Sequence, residues 1–329
     1  MYRLRSRLAL FISLSLLPAF SASAEALSLN DRALAAAEQL SDKAIAWRHD
    51  IHQHPELGNQ ETRTAARADM DALPVKEATA LPYASNTRQM YLGNEQDVMH
   101  ACGHDAHVAI LMATAEVLAG MRESLPGSVK FIFQPAEEGP SDYVYDGERY
   151  FGARQLVAEG VLHDPAVDVI FGLHVTAALP TGMTAYRSGP TMASSGDLHI
   201  RVRGKQTHGA QPWDGVDPVL ASAQIVTALQ GVVSRQTDIM QAPAVVSIGT
   251  INGGTRHNII PDEVTMSGTV RTFNDAVQAQ VNERIKNTAE HVAAASGATA
   301  EVNIVQNYAT TVNDPELTAQ MLPTLRRAA

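Results

Sequence analysis

The pattern of apolar and polar positions changes near residue 185. Between about residues 197 and 305, alternating segments and segments with apolar residues at helical spacing follow one another. They predict the order strand, helix, strand, strand, helix, strand. Asp217 and Pro218 are typical of a helix start, and Gly297 of a helix end. This order is typical of a ferredoxin-like α+β unit, in which two helices cover one face of an antiparallel sheet.

Before residue 185 the apolar segments are short and lack polar alternation. Residues 128–134 ("SVKFIFQ") and 167–174 ("VDVIFGLH") predict buried strands of a largely parallel sheet, and a helix over residues 105–119 precedes them. Glu137 and Glu138 follow the first segment, and His174 ends the second. Ligands of open α/β sheets bind at the carboxyl ends of the strands, so we expect a site at this edge.

Composition restricts the class of protein and of partner. The 329 residues are 45% hydrophobic and 18% charged, which is typical of a globular chain with one large or two ordinary domains. A net charge of −10 argues against nucleic acid and anionic membranes as partners.

The first 24 residues predict export. They contain three arginines, a short apolar run and a small-residue cleavage site, so we interpret residues 1–24 as a secretory signal. A membrane anchor is the alternative interpretation, although the apolar run is short for a span. We expect a periplasmic or secreted protein that is not bound to a membrane after cleavage.

The segment "MHACGHDAH" at residues 99–107 contains Cys102, the only cysteine. In an exported protein it is a core thiol, an intermolecular bridge or a functional thiolate. One residue separates it from His104, so both side chains can reach one ion, and His174 with either Glu137 or Glu138 can join them. Thiolate, imidazole and carboxylate ligands together suit zinc, with manganese or cobalt as alternatives.

Two adjacent glutamates at a metal site can have different roles. One carboxylate can bind metal while its neighbour acts as general base toward water, which predicts metal-assisted amide hydrolysis. The alternative interpretations are a solvated turn for the glutamate pair and a structural histidine for His174. We interpret His100 and His107 as structural, and His52 as part of a loop held by Pro55 and Gly58.

Eight motifs occur in order between about residues 47 and 315: "IHQHPELG", "RADMDALP", "MHACGHDAH", "FIFQPAEEG", "FGLH", "GPTMASS", "GKQTHGAQPWDGVDP" and "NIIPD". Together they resemble the metal-dependent amidohydrolases and aminoacylases that include hippurate hydrolase, N-acyl-amino-acid amidohydrolases and indoleacetyl-amino-acid hydrolases. The resemblance implies an α/β, zinc-peptidase-like catalytic domain (25–185), interrupted by a ferredoxin-like lid and dimerisation domain (186–309) and resumed at 310–329. It also implies two divalent ions (Zn, Mn or Co), an N-acyl amino acid substrate and a homodimer formed through the lid.

The resemblance assigns roles to nine residues. It implies metal ligands at Cys102, His104, Glu138 and His174, a general base at Glu137, and an acidic residue beside the metal site at Asp71. In the lid it implies an oxyanion-stabilising histidine that reaches the neighbouring subunit, His208, and substrate contacts at Asn258 and Arg271.

The chain also departs from this family. The family places a few dozen residues where Ala66 directly precedes Arg67, so the catalytic sheet should lack strands. The family also continues beyond the position of Ala329 to a final histidine ligand, so we expect one metal position to lack a ligand. The segment 140–152, "PSDYVYDGERYFG", is longer than in many relatives and predicts a loop beside the pocket.

Three hypotheses follow from these observations. The first is an exported amidohydrolase of N-acyl or N-aroyl amino acids with Glu137 as base. The second is an inactive remnant that acts at most as a metal-binding or dimerising module. The third is a cysteine hydrolase with Cys102 as nucleophile, which leaves the glutamate pair and His174 unexplained.

Overall fold

A computed structural model of the protein describes residues 28–63 and 70–328. The expected signal segment and the junction between Ala66 and Arg67 lie outside the described residues. The predicted domain boundaries at residues 185 and 309 stay predictions. No helix within the two described ranges combines the length and the apolar character needed to cross a membrane.

The first part of the chain places helices beside short strands. Ser28 begins α1, because its hydroxyl accepts from the N–H of Asp31. Helix α2 packs on α3 through Ile51 and Val108, which are fully buried. Strands β1 and β2 pair in parallel, and β3 and β4 form an antiparallel hairpin. The bounds are α1 Leu29–Gln39, α2 Ser41–Gln53, β1 Glu56–Leu57, β2 Asp71–Ala72, β3 Arg88–Tyr91, β4 Asn94–Asp97, α3 His104–Gly120 and α4 Gly152–Ala158.

The second part contains a four-stranded antiparallel sheet with two long helices. Its elements follow the predicted order, and the spatial order of the strands is β11, β6, β10, β8. Two further strand pairs, β5 with β12 and β7 with β9, lie outside this sheet. The bounds are β5 Gly189–Met192, β6 Ser195–Arg203, β7 Thr207–His208, α5 Pro218–Gln236, β8 Ala244–Gly253, β9 Ile259–Ile260, β10 Glu263–Thr272, α6 Asp275–Ala295, β11 Thr299–Tyr308, β12 Thr311–Asn313 and α7 Pro315–Ala328.

The core of this βαββαβ unit explains why the elements form here. Alternate residues of β6 point toward the helices and are buried, for example Leu198 and Ile200, where they meet Leu229 of α5 and Ile285 of α6. The Asp217 carboxylate caps α5 by accepting from the N–H groups of Val219 and Leu220. The alternating burial of strand residues and the capped amphipathic helices are local features of the sequence. Together they favour the βαββαβ unit.

The two buried strands predicted in the first part are wrong. Residues 128–134 and 167–174 run without strand pairing, and the one parallel pair in the described part of the chain is β1 with β2. A strand needs a neighbour to bond its N–H and C=O groups, and neither segment has one. Ile170 and Phe171 are consequently 63% and 61% exposed instead of buried.

Candidate active site

The loop before α3 brings Cys102 and His174 together. Gly103 has a φ of +91°, a conformation that glycine adopts at little cost, and α3 begins at His104 directly after it. A Cβ at position 103 would clash with the side chain of Val175, so glycine also permits the close approach of that segment. As a result, the Cys102 Sγ lies 3.5 Å from the His174 Nε2.

The four predicted metal ligands and the predicted base, Glu137, form two overlapping groups. Potential ligand atoms of Cys102, His104 and His174 lie within 4.8 Å of one another, and so do those of His104, Glu137 and Glu138. His104 belongs to both groups. A donor set of sulfur, imidazole nitrogen and carboxylate oxygen fits zinc, manganese or cobalt. The structure brings these side chains together, and their role as ligands stays a prediction.

The Asp71 carboxylate binds the main chain of the turn that contains Glu137 and Glu138, which we call the glutamate turn. Its Oδ1 accepts from the N–H of Glu137 at 3.0 Å, and its Oδ2 accepts from the N–H of Glu138 at 2.8 Å. Because both carboxylate oxygens are occupied by neighbouring N–H groups, the direction in which the two glutamates leave the backbone is fixed. Asp71 thus contacts the turn that carries the predicted base and a predicted ligand, and its role beside a metal site stays a prediction.

Asp71 also orients His104. The His104 Nδ1 lies 2.9 Å from the main-chain oxygen of Asp71, and a carbonyl can only accept, so Nδ1 carries the proton. The Nε2 then has its lone pair on the side of Glu137, whose Oε2 is 3.7 Å away. This is the tautomer that a histidine needs to bind a metal through Nε2.

Glu61 supports the same turn and was missed by the sequence analysis. Its buried Oε1 accepts from the N–H of Ala136 at 2.7 Å, and Ala136 has a φ of +47° that is unusual for a residue with a side chain. Burial raises the pKa of Glu61 to about 7, and the nearby carboxylates of Asp71 and Glu56 act in the same direction. No local pattern marks Glu61, because the contact joins residues 75 positions apart.

We expect Glu61→Gln to stabilise the metal-free protein relative to wild type, and to do so much more strongly at pH 8 than at pH 5. The folded-state pKa of Glu61 is raised, so its contribution to stability is fully present below its ordinary pKa and is lost as the pH rises through about 7. Glutamine stays neutral and can still accept from Ala136. Urea unfolding in EDTA between pH 5 and 8 measures this effect.

The control for this prediction is Glu123→Gln at a fully solvated surface position. It should leave the free energy of unfolding unchanged at both pH values. A stability difference between wild type and Glu61→Gln that is the same at pH 5 and pH 8 would contradict the assignment.

A second buried network anchors the first turn of α3. Asp105 accepts from Arg48 Nε at 2.9 Å and lies 3.1 Å from His52 Nδ1, and His52 Nε2 lies 3.2 Å from Glu77. The bond to Asp105 raises the pKa of His52. Burial would raise the pKa of Asp105, but the bonds from His52 and Arg48 outweigh it and lower that pKa to about 2. The predicted loop position of His52 is wrong, since His52 lies in α2, where carboxylates face both nitrogens of its buried ring.

His100 and His107 also have structural surroundings. Burial lowers the pKa of His100 to about 4, so its ring is neutral. His107 accepts from the N–H of Val175 at 2.9 Å and packs edge-on against the ring of His174, which holds the His174 segment against α3.

The predicted substrate residues separate into two places. Arg271 lines a cleft of about 550 Å³ together with Glu137 and Glu138, between the glutamate turn and the βαββαβ sheet. His208 and Asn258 do not line this cleft. They lie together where β7 pairs with β9, with the N–H of Gly209 donating to the Asn258 carbonyl at 2.8 Å.

The chain is similar to known proteins over most of its length. The model of peptidase family M20/M25/M40 matches residues 65–328. Thermostable carboxypeptidase 1 of Saccharolobus solfataricus is 39% identical over 87% of this chain and 78% of its own. N-acetylcysteine deacetylase of Bacillus subtilis is 38% identical over 80% of this chain and 75% of its own.

A solved structure shares the fold. The crystal structure of a Bacillus subtilis protein, described as a dinuclear metal binding peptidase from the M20 family, superposes with a TM-score of 0.68. It is 33% identical, and the match covers 88% of this chain and 80% of that one. The match of the family model and these similarities show that the chain belongs to the M20/M25/M40 family of peptidases and amidohydrolases.

Proposed function

We propose that the protein hydrolyses the amide bond of N-acyl or N-aroyl amino acids with two divalent metal ions. The observation that supports this most directly is that Cys102, His104 and His174 lie close together and that His104 also lies beside the Glu137–Glu138 turn, which Asp71 holds. Cys102, His104, Glu138 and His174 hold the metals, and Zn, Mn and Co all suit this donor set. When bound, the ions polarise the scissile carbonyl and make water a stronger acid.

The remaining chemistry belongs to side chains of the chain. The Glu137 carboxylate takes a proton from the attacking water and delivers it to the leaving amine. Arg271 lines the same cleft as the glutamate pair, and its guanidinium binds the substrate carboxylate. His208 of a second copy donates to the developing oxyanion, and Asn258 beside it contacts substrate.

Metal analysis coupled to an assay tests this proposal. The purified full chain should contain zinc, manganese or cobalt and should release amino acid from hippurate or an N-acetyl amino acid, with activity lost in EDTA and restored by metal. A preparation that binds none of these metals and turns over none of these substrates would instead favour the inactive remnant.

We also propose that two copies associate through residues 186–309. Strand β8 is an edge of the sheet, since among the described strands it pairs with β10 alone, and its Val245 and Ile251 are about half exposed. Unpaired edge groups favour pairing with another strand, and a twofold axis would join β8 to its copy. Sedimentation should give twice the mass of one chain, whereas Ile251→Lys should give the monomer. A monomeric wild type would overturn this proposal.

A further inference from the structure

We propose that Tyr308 is a positioning residue for Glu137 and that it acts from the βαββαβ unit. Tyr308 is the last residue of β11, and its hydroxyl donates to the main-chain oxygen of Glu137 at 3.2 Å. This inference rests on the proposed function, because it concerns the orientation of the general base. The two residues are 171 positions apart, so the bond joins distant parts of the chain.

The bond completes the fixation of the Glu137 main chain. The N–H of Glu137 donates to Asp71 at 3.0 Å, and its carbonyl accepts from Tyr308 at 3.2 Å. Two bonds on opposite sides of one Cα restrict rotation of the backbone there. Because the side chain leaves from this Cα, they also restrict where the carboxylate can reach. A misplacement of a catalytic group by about 1 Å can reduce the rate about a hundredfold.

The Tyr308 ring is held in a seat formed by Tyr145, Phe151 and Val305, which are buried together. Phe151 meets Tyr145 and Tyr308 edge-on, with ring centroids 4.8 Å and 5.8 Å apart. Arg154 donates to the Tyr145 hydroxyl and to the carbonyl of Gln306, both at 3.0 Å, which ties the seat to β11. The seat therefore fixes the ring, and the ring directs the hydroxyl.

The segment 140–152 builds most of this seat. Tyr145 and Phe151 belong to it, and so does Gly152, whose φ is +56°. A Cβ at Gly152 would clash with the Tyr308 hydroxyl, so glycine makes room for the bond to Glu137. The segment 140–152 thus links the βαββαβ sheet to the glutamate turn. Tyr308, Glu137 and Arg271 line the same cleft.

Tyr308→Phe removes the hydroxyl and keeps the ring in its seat. We expect kcat for N-acyl amino acid hydrolysis to fall about tenfold, which is the effect of roughly one lost hydrogen bond. KM, metal content and melting temperature should stay close to wild type. The matched control is Tyr143→Phe in the same segment, which removes a hydroxyl that donates to the carbonyl of Arg149 and does not bond Glu137 or Arg154.

Hydrogen–deuterium exchange gives a readout that does not need activity. We expect the amides of residues 136–139 to exchange at least about threefold faster in Tyr308→Phe and at the wild-type rate in Tyr143→Phe. If wild type has no hydrolase activity but the exchange result holds, the proposed function fails and the positioning of the Glu137 main chain stands. Unchanged exchange in Tyr308→Phe, a kcat within twofold of an active wild type, or equal effects of both variants would overturn the inference.

Discussion

Glu137→Gln should reduce kcat for hydrolysis of N-acyl amino acids about a thousandfold and leave the metal content unchanged. Glutamine has the same shape, so the hydrogen bond from its N–H to Asp71 and the fold of the turn persist. The side-chain amide of glutamine cannot take a proton from water. A positioned general base contributes a factor of about 10² to 10⁴ to the rate. Metal stoichiometry measured beside kcat on the same preparation checks both parts of the expectation.

Two further variants separate the possible roles of the neighbouring groups. Glu138→Gln should lower metal affinity, since Glu138 is proposed as a ligand, and excess metal should restore part of the activity. Cys102→Ser should behave in the same way if the thiolate binds metal, whereas a cysteine nucleophile predicts complete loss at any metal concentration. Activity of Glu137→Gln above a tenth of wild type would contradict its role as base.

The βαββαβ unit was predictable because its information is local. Alternation in β6, the apolar face of α5 and the Asp217 cap are each visible within about twenty residues of sequence. The order of elements then leaves few ways to pair the strands. The sheet of the structure, with β6 and β10 in its centre, is one of them.

The first part of the chain was harder to predict because its contacts are distant. The apolar segment 167–174 predicts a strand, but a strand also requires a neighbour, and no property of the segment itself tells whether one is present. The polar side chains that hold the glutamate turn are equally hard to predict from sequence. Glu61 reaches Ala136 and Tyr308 reaches Glu137 across 75 and 171 positions, and neither residue belongs to a pattern with a recognisable period.

The candidate metal ligands were predictable in part, because some of their contacts are local in sequence and others are distant. Cys102 and His104 are neighbours in sequence, so their proximity was predictable from spacing alone. Their proximity to Glu137, Glu138 and His174 was expected because these residues follow or end two predicted neighbouring strands. The side chains do lie close together, although the two predicted strands do not form. The resemblance to a family supplied the individual roles, which neither spacing nor proximity assigns.

Asp71→Asn should impair folding and hydrolysis together. Both oxygens of this fully buried carboxylate accept from N–H groups, those of Glu137 and Glu138. Asparagine offers one oxygen, and its NH₂ group would face the other N–H, so one buried donor loses its partner at a cost of about 2 to 3 kcal/mol. We expect that loss in urea unfolding of the metal-free protein, and a fall of about a hundredfold in kcat/KM because the glutamate turn loses its orientation.

Asp217→Asn provides the matched control. That carboxylate also accepts two N–H groups, from Val219 and Leu220, but the same oxygen receives both. Asparagine can therefore keep both bonds, and it is as good a helix cap as aspartate, so stability and kcat/KM should stay near wild type. If both variants lose stability equally, the effect comes from charge and not from the two-oxygen geometry at Asp71. If Asp71→Asn keeps full kcat/KM, the hold on the glutamate turn is not needed for hydrolysis.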